Sequence, residues 1–180
     1  TSVIRSLPYE IIDKIVKYFR SSYQVKIIID NSSFSTYLEE KNKDNNLLFE
    51  KPKDIDSLIK EVSRTYLGVF IDSGPLHIAK LFDKHGVFIE TSVDNKILLD
   101  SYKKISVIRN LYFSNYCEGP CGLVDIFDFE KSVGCYETNK TSFEKIKILK
   151  SFKNLQRWNK MTNNTHFFLN PVGCINNINV

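Results

Sequence analysis

A short polar segment between two apolar stretches carries the side chains best suited to chemistry. Asp72, Ser73 and Gly74 follow the apolar run 66–71, and His77 comes next, in a stretch with helical spacing. A parallel strand that ends in a tight turn before a helix offers free backbone N–H groups and a positive potential to an anion. Gly74 lets a ligand approach the backbone, the Ser73 hydroxyl can donate, and the Asp72 carboxylate can accept from sugar or ribose hydroxyls. The segment therefore predicts a site for a diphosphate.

Each of these residues also has a structural explanation. Asp72 and Ser73 belong to the residue types that commonly cap helices, and His77 can be a helix histidine bonded within the domain. The segment matches neither the G-x-G-x-x-G fingerprint nor the P-loop, so nicotinamide and P-loop nucleotides lose their usual sequence support. The residues alone predict an anion-binding crevice.

The surrounding pattern predicts the elements that position this segment. Helical spacing recurs in five stretches, which are 8–20, 55–62, 75–82, 95–103 and 142–152. Short apolar or β-branched runs of strand length lie between them, at 25–29, 47–49, 66–71, 86–89 and 105–109. Apolar strands that alternate with helices are typical of a parallel sheet covered on both faces. The predicted fold class is α/β, with a Rossmann-like parallel sheet and helices on both faces.

Composition limits the class of protein. The chain has 180 residues, 42% hydrophobic and 26% charged, with 25 Lys and Arg against 21 Asp and Glu. These values predict one globular domain and exclude a disordered, collagen-like or coiled-coil chain. The charge excess is small and dispersed, so no nucleic-acid partner is expected. No apolar run approaches the ~20 residues that a membrane span needs.

The four cysteines are too few for a disulfide scaffold, which favours a reduced, cytoplasmic setting. They are Cys117, Cys121, Cys135 and Cys174. Their spacing is looser than the usual C-x2-C pairs of zinc sites, so a structural zinc site, ordinary thiols and a disulfide all stay open.

Three segments, in order, carry a resemblance to a known family. Residues 72–79, D-S-G-P-L-H-I-A, resemble the D-[ST]-G-x-x-H-[LI]-A signature of the ADP-heptose:lipopolysaccharide heptosyltransferase family, glycosyltransferase family 9. Upstream, R-S-L-P at 5–8 is similar to the family's K-x-W-P, with Arg5 at the phosphate-contacting lysine and Leu7 at the aromatic position. Downstream, C-E-G-P-C at 117–121 and the later Cys135 are similar to its C-x-P-C and following cysteine.

The resemblance implies the C-terminal, donor-binding half of a GT-B glycosyltransferase over residues 1–152. The tail 153–180 would pack on this domain or on an N-terminal Rossmann-like half that the chain is expected to lack. The donor-site residues carried over from the family are Arg5, Asp72, Ser73, Gly74 and His77.

The implied activity is an inverting, metal-independent transfer of a sugar from a nucleotide-sugar to a lipopolysaccharide-type or other glycan acceptor. No cofactor or metal is expected, and the general base is expected in the N-terminal half, so the chain alone would be inactive. ADP-heptose is the family's usual donor, but the acid that contacts the ribose does not align here, which leaves the nucleotide open. The expected location is the cytoplasm, with peripheral attachment at the inner face of the membrane as an alternative. The competing hypothesis is a non-catalytic module that binds a nucleotide or nucleotide-sugar.

Overall fold

Helices and parallel strands alternate along most of the described chain. The computed structural model describes residues 5–30, 33–42, 47–115, 117–122, 127–128, 133–134 and 173–180. The elements, in chain order, are α1 (Tyr9–Phe19), β1 (Lys26–Ile28), α2 (Ser33–Lys41), β2 (Leu48–Glu50), α3 (Ile55–Arg64), β3 (Leu67–Phe70), α4 (Gly74–Leu81), β4 (His85–Ile89), α5 (Asn95–Leu99), β5 (Ile105–Ile108), β6 (Phe127–Asp128), β7 (Val133–Gly134) and a C-terminal 3-10 helix (Gly173–Asn177). The predicted helix 142–152, Cys135 and residues 153–172 lie outside the described residues.

The strands form one three-stranded parallel sheet and two smaller pairs. β3, β4 and β5 lie side by side in chain order, with Phe70 opposite Phe88 and Phe88 opposite Val107. β1 and β2 form a separate parallel pair, and β6 and β7 pair antiparallel. Because β3, β4 and β5 are parallel, the residues that follow them meet at one carboxyl edge.

The three-stranded sheet separates two apolar clusters. Successive strand residues point to opposite faces, so Phe88 packs on one side while Val87 and Ile89 pack on the other. One face is covered by α1, α2, the C-terminal 3-10 helix and the residue that follows it, with Ile11, Leu38, Ile175 and Ile178 buried there. The other face is covered by α3, α4 and α5, through Val62, Leu76, Ile78, Ala79, Leu98 and Leu99. This arrangement confirms an α/β fold with helices on both faces and is compatible with a Rossmann-like domain.

Local signals fix where the helices begin. α3 starts with a reciprocal capping box, in which the Asp54 carboxylate accepts from the Ser57 backbone N–H at 2.8 Å and the Asp54 N–H donates to the Ser57 hydroxyl at 3.1 Å. α4 has Pro75 in its first turn, where the missing N–H costs nothing.

Two helices differ from the sequence prediction. α2 was not predicted, because its nine residues carry only a short apolar set, of which Leu38 is buried. The helix expected over 95–103 ends at Leu99, since Asp100 adopts a φ of +46° that a right-handed helix cannot contain. Beyond it the Tyr102 hydroxyl donates to the Lys84 carbonyl at 2.8 Å, which ties the segment before β5 to the start of β4.

Candidate functional site

The turn between β3 and α4 places the predicted site residues at the carboxyl edge. Ser73 is the N-cap residue of α4 in an extended conformation, and its side chain makes no capping hydrogen bond. Its hydroxyl instead donates to the Ile71 carbonyl at 3.0 Å. The capping explanation of Ser73 is therefore wrong for its side chain, and the first turn of α4 keeps its N-terminal positive potential without a side-chain cap from Ser73.

Gly74 occupies an open position at the start of α4. The residue is exposed, and a Cβ built on it would meet nothing within 4 Å. It is also not one of the positive-φ glycines of the described chain, which are Gly122 and Gly173. Neither packing nor backbone conformation in the described structure requires glycine here, so the open space above the backbone is available to a ligand.

Arg5 and Asp72 lie together although they are far apart in the sequence. Arg5 Nε lies 2.6 Å from Asp72 Oδ2, and the exposed fractions of the two side chains are 32% and 9%. The Nε–H bond is not aligned for a hydrogen bond, so the contact is an ion pair by distance. The structure thus joins two of the five predicted site residues directly, next to the N-terminus of α4.

His77 lies on the first turn of the same helix and is solvent-exposed. With Ser73 and Gly74 it completes the segment that the sequence singled out. The exposed imidazole is not the internally bonded histidine of the structural explanation.

A second polar cluster, which the sequence did not assign, lies at the same edge after β4. Glu90 is 2% exposed. Its Oε1 accepts from the Asn95 N–H at 2.8 Å and from the Asn95 amide group at 2.7 Å, while Oε2 accepts from the Asn110 N–H at 3.0 Å. The carboxylate thereby ties the end of β4 to the start of α5 and the end of β5.

Asn110 extends this cluster into the segment that follows β5. Its side-chain amide donates to the Thr91 carbonyl at 2.7 Å, and its Oδ1 accepts from the Tyr112 N–H at 3.2 Å. A Cβ on Gly119 would lie 2.7 Å from that same Oδ1. Gly122 closes the segment by donating its N–H to the Ser92 carbonyl at 2.6 Å.

Glu90 and Asn110 were missed because the groups that they bond to come from other segments of the chain. Glu90 was interpreted as the residue where a strand ends, and its partners come from two other segments. The usable signal is a single acid directly after an apolar strand, which predicts a buried carboxylate that needs donors.

The described residues do not assemble a metal site. Within the described ranges, no three His, Cys, Asp or Glu side chains lie close enough together to hold a metal ion. Cys117 and Cys174 are half-buried and Cys121 is exposed. The four-cysteine zinc hypothesis includes Cys135, which lies outside the described residues.

An aromatic surface lies at the opposite end of α1 from the Arg5–Asp72 pair. The rings of Tyr23 and Tyr66 stack with centroids 6.5 Å apart, and Tyr18 is 76% exposed beside them. A hollow of about 640 Å³ opens there, lined by residues 17–19 and 21–23. It contains none of the predicted site residues.

The described fold and edge define the class: an α/β domain with a parallel sheet, whose carboxyl edge carries an open helix N-terminus beside an Arg–Asp ion pair. No protein-family model, no curated protein and no solved structure matches this chain. No helix in the described part of the chain has the length and apolarity to cross a membrane.

Proposed function

We propose that this chain is the nucleotide-sugar-binding part of a glycosyltransferase of the GT-B type, similar to glycosyltransferase family 9. The observation that carries the proposal is the contact between Arg5 and Asp72 beside the open N-terminus of α4. The resemblance assigned both residues to one donor site from separate segments of the sequence. A chance match of unrelated segments gives no reason for them to meet.

The diphosphate of the donor would lie at the start of α4. Backbone N–H groups and the helix dipole favour an anion there, typically by about 0.3–1 kcal/mol and by up to about 2 kcal/mol in partly buried geometries. The Arg5 guanidinium adds a full positive charge and can bond to phosphate oxygens through two parallel N–H groups. Gly74 leaves room for the phosphate to reach the backbone.

In the proposed reaction, these groups stabilise the nucleoside diphosphate as it leaves. The acceptor hydroxyl attacks the anomeric carbon, the bond from that carbon to the diphosphate oxygen breaks, and the negative charge develops on the leaving diphosphate. Preorganised donors act best at such a developing charge. A base deprotonates the acceptor hydroxyl, and we assign that base to a partner half, so the chain alone binds donor without turning it over.

Calorimetric titration of the full chain with ADP-, UDP-, GDP- and CDP-sugars tests the proposal. We expect weak, saturable binding of one nucleotide class and a ligand-dependent rise in melting temperature, because a ligand that binds only the folded chain stabilises it. Asp72→Ala should abolish that rise. Asp13→Ala, which removes the carboxylate of an ion pair with Lys17 on α1, is the matched control and should keep it. Failure of all four donors to bind, or an unchanged rise in Asp72→Ala, contradicts the proposal.

A further inference from the structure

We infer that Asp72 is a positioning residue, which holds Arg5 for the diphosphate, and that it is not the acceptor for a sugar or ribose hydroxyl. The inference rests on the proposed function and changes the role of one residue in that site. It follows from how the Asp72 carboxylate is buried and from which part of Arg5 faces it.

The Asp72 side chain is largely removed from solvent, and one of its carboxylate oxygens already faces a cation. Its side chain is 9% exposed, and Oδ2 lies 2.6 Å from Arg5 Nε. A buried carboxylate needs a cation or several donors. A sugar hydroxyl that took the place of Arg5 at Oδ2 would replace a full charge with a neutral donor.

Arg5 is buried on one side and exposed on the other. Its Nε has almost no accessible surface, whereas the whole side chain is 32% exposed. The guanidinium is a planar fork with five N–H donors. Nε is the guanidinium atom closest to Asp72, and part of the side chain is left exposed. The two terminal nitrogens are the part of an arginine that grips a phosphate with two N–H groups.

Because Asp72 already holds Arg5 in place, the entropic cost of binding a diphosphate is lower. A long side chain that is already oriented loses less conformational freedom when the ligand arrives. Lysine at position 5 would keep the charge but offers one nitrogen, which cannot serve the carboxylate and two phosphate oxygens with the same geometry. The resemblance places lysine here in the family, so the pairing of arginine with this carboxylate is a property of this chain's own residues.

Two probes that differ only in the sugar separate the two roles of Asp72. ADP and ADP-heptose, and in parallel UDP and UDP-glucose, are titrated into the wild type, Asp72→Asn, Arg5→Gln and the double variant. Asp13→Asn on α1 serves as the matched control and should leave both affinities unchanged. We expect Asp72→Asn to weaken both members of the bound pair by the same factor, about tenfold, as loss of an outer-shell partner does at metal sites. In the Arg5→Gln background the same change should have no further effect, because the residue it positions is gone.

Any one of three results overturns the inference. The first is that Asp72→Asn weakens only the nucleotide-sugar, and the second is that its effect persists in the Arg5→Gln background. The third is that it strengthens ADP binding, which would mean that Asp72 competes with phosphate for Arg5. If the wild type binds none of the probes, the proposed function fails and this inference fails with it. If the wild type binds, but Asp72→Asn changes the ratio of the affinities for the nucleoside diphosphate and its sugar, the inference fails and the proposed function stands.

Arg5→Lys provides a second variant if Asp72→Asn does not fold. It keeps the charge at position 5 and should weaken the nucleoside diphosphate and its sugar equally. A loss confined to the nucleotide-sugar contradicts the positioning role. Far-UV circular dichroism of each variant establishes that the fold is kept.

Discussion

After β3 the carboxyl edge of the sheet is open, whereas after β4 it is closed by hydrogen bonds. Asp72 and Gly74 lead into a helix whose N-cap side chain does not cap it, and a methyl group at position 74 would touch nothing. Two residues past the paired Phe88, the Glu90 carboxylate accepts three hydrogen bonds and is 2% exposed. A polar group whose partners lie inside the fold stabilises structure. A helix N-terminus without such partners is available to a ligand.

The Glu90 and Asp72 carboxylates also differ in the groups that they contact. Glu90 is satisfied by neutral N–H donors from α5 and from the end of β5, which makes it a structural tie between three segments. Asp72 faces a cation that is itself one-third exposed. Only the second arrangement leaves a charged group free to engage something outside the chain.

Glu90→Ala should have the largest effect on stability. It leaves the half-buried Asn95 and the buried Asn110 N–H groups without their acceptor, at about 1–3 kcal/mol each, so we expect a loss of about 3–5 kcal/mol in the free energy of unfolding. Urea denaturation measures it. Glu40→Ala, at an exposed position on α2, is the control and should change the value by less than about 0.5 kcal/mol. A loss of that small size in Glu90→Ala would mean that the edge after β4 is not closed.

Gly119→Ala tests whether the segment after β5 is tightly packed on Asn110. The new Cβ would lie 2.7 Å from Asn110 Oδ1, so we expect a loss of about 1–3 kcal/mol, typical of overpacking. In an Asn110→Ala background the same change should cost almost nothing, because the atom it meets is absent. Additive losses in the double variant, measured by urea denaturation, would refute the contact.

Gly74→Ala should change ligand binding without lowering the stability of the fold, at the open edge after β3. Since the methyl group meets nothing and alanine favours helix, the free energy of unfolding should stay equal or rise by up to about 1 kcal/mol. Binding of the nucleotide-sugar should weaken about tenfold, or about 1.4 kcal/mol, because the methyl group fills space that the phosphate needs. Thermal melting and calorimetry measure the two quantities. Unchanged binding would remove Gly74 from the site.

The smallest effect concerns the capping box of α3, which belongs to neither region. The backbone N–H and then the hydroxyl of Ser57 lower the pKa of Asp54 below its ordinary value of 3.8. A lowered pKa in the folded chain means that the carboxylate stabilises the fold above the unfolded pKa and that this contribution disappears as the pH falls through the folded pKa.

Asp54→Asn keeps a capping side chain without that titration. The urea midpoint of the wild type should therefore approach that of Asp54→Asn as the pH falls from about 7 to below the ordinary pKa of Asp54. A constant difference between the two proteins would show that the Asp54 charge does not contribute.

The strands whose ends form the carboxyl edge could be predicted because their sequence patterns are local. All five strands predicted from apolar runs are present within one residue at each end, since such runs have few other ways to be buried. α2 escaped prediction because its stability comes from packing of Leu38 and Tyr37 on the cluster around α1, which a nine-residue window does not show.

In the candidate site, too, the local features could be predicted and the contacts between distant segments could not. The turn at 72–74 was visible because Asp-Ser-Gly-Pro between a strand and a helix has a local physical meaning. The approach of Arg5 to Asp72 was implied only by the resemblance, and the bonds from Glu90 to Asn95 and Asn110 were not foreseen. These contacts join residues from separate segments, so they depend on how the segments pack.

Amide chemical shifts during titration with a nucleotide-sugar test the central claim most directly. We expect the largest changes on the N–H groups of Ser73, Gly74 and His77 and on Arg5, while those of Glu90 and Asn110 change little. Changes concentrated at residues 110–122 or at the aromatic surface around Tyr23 and Tyr66, or no changes at saturating donor, would contradict the assignment of the open edge after β3 as the binding site.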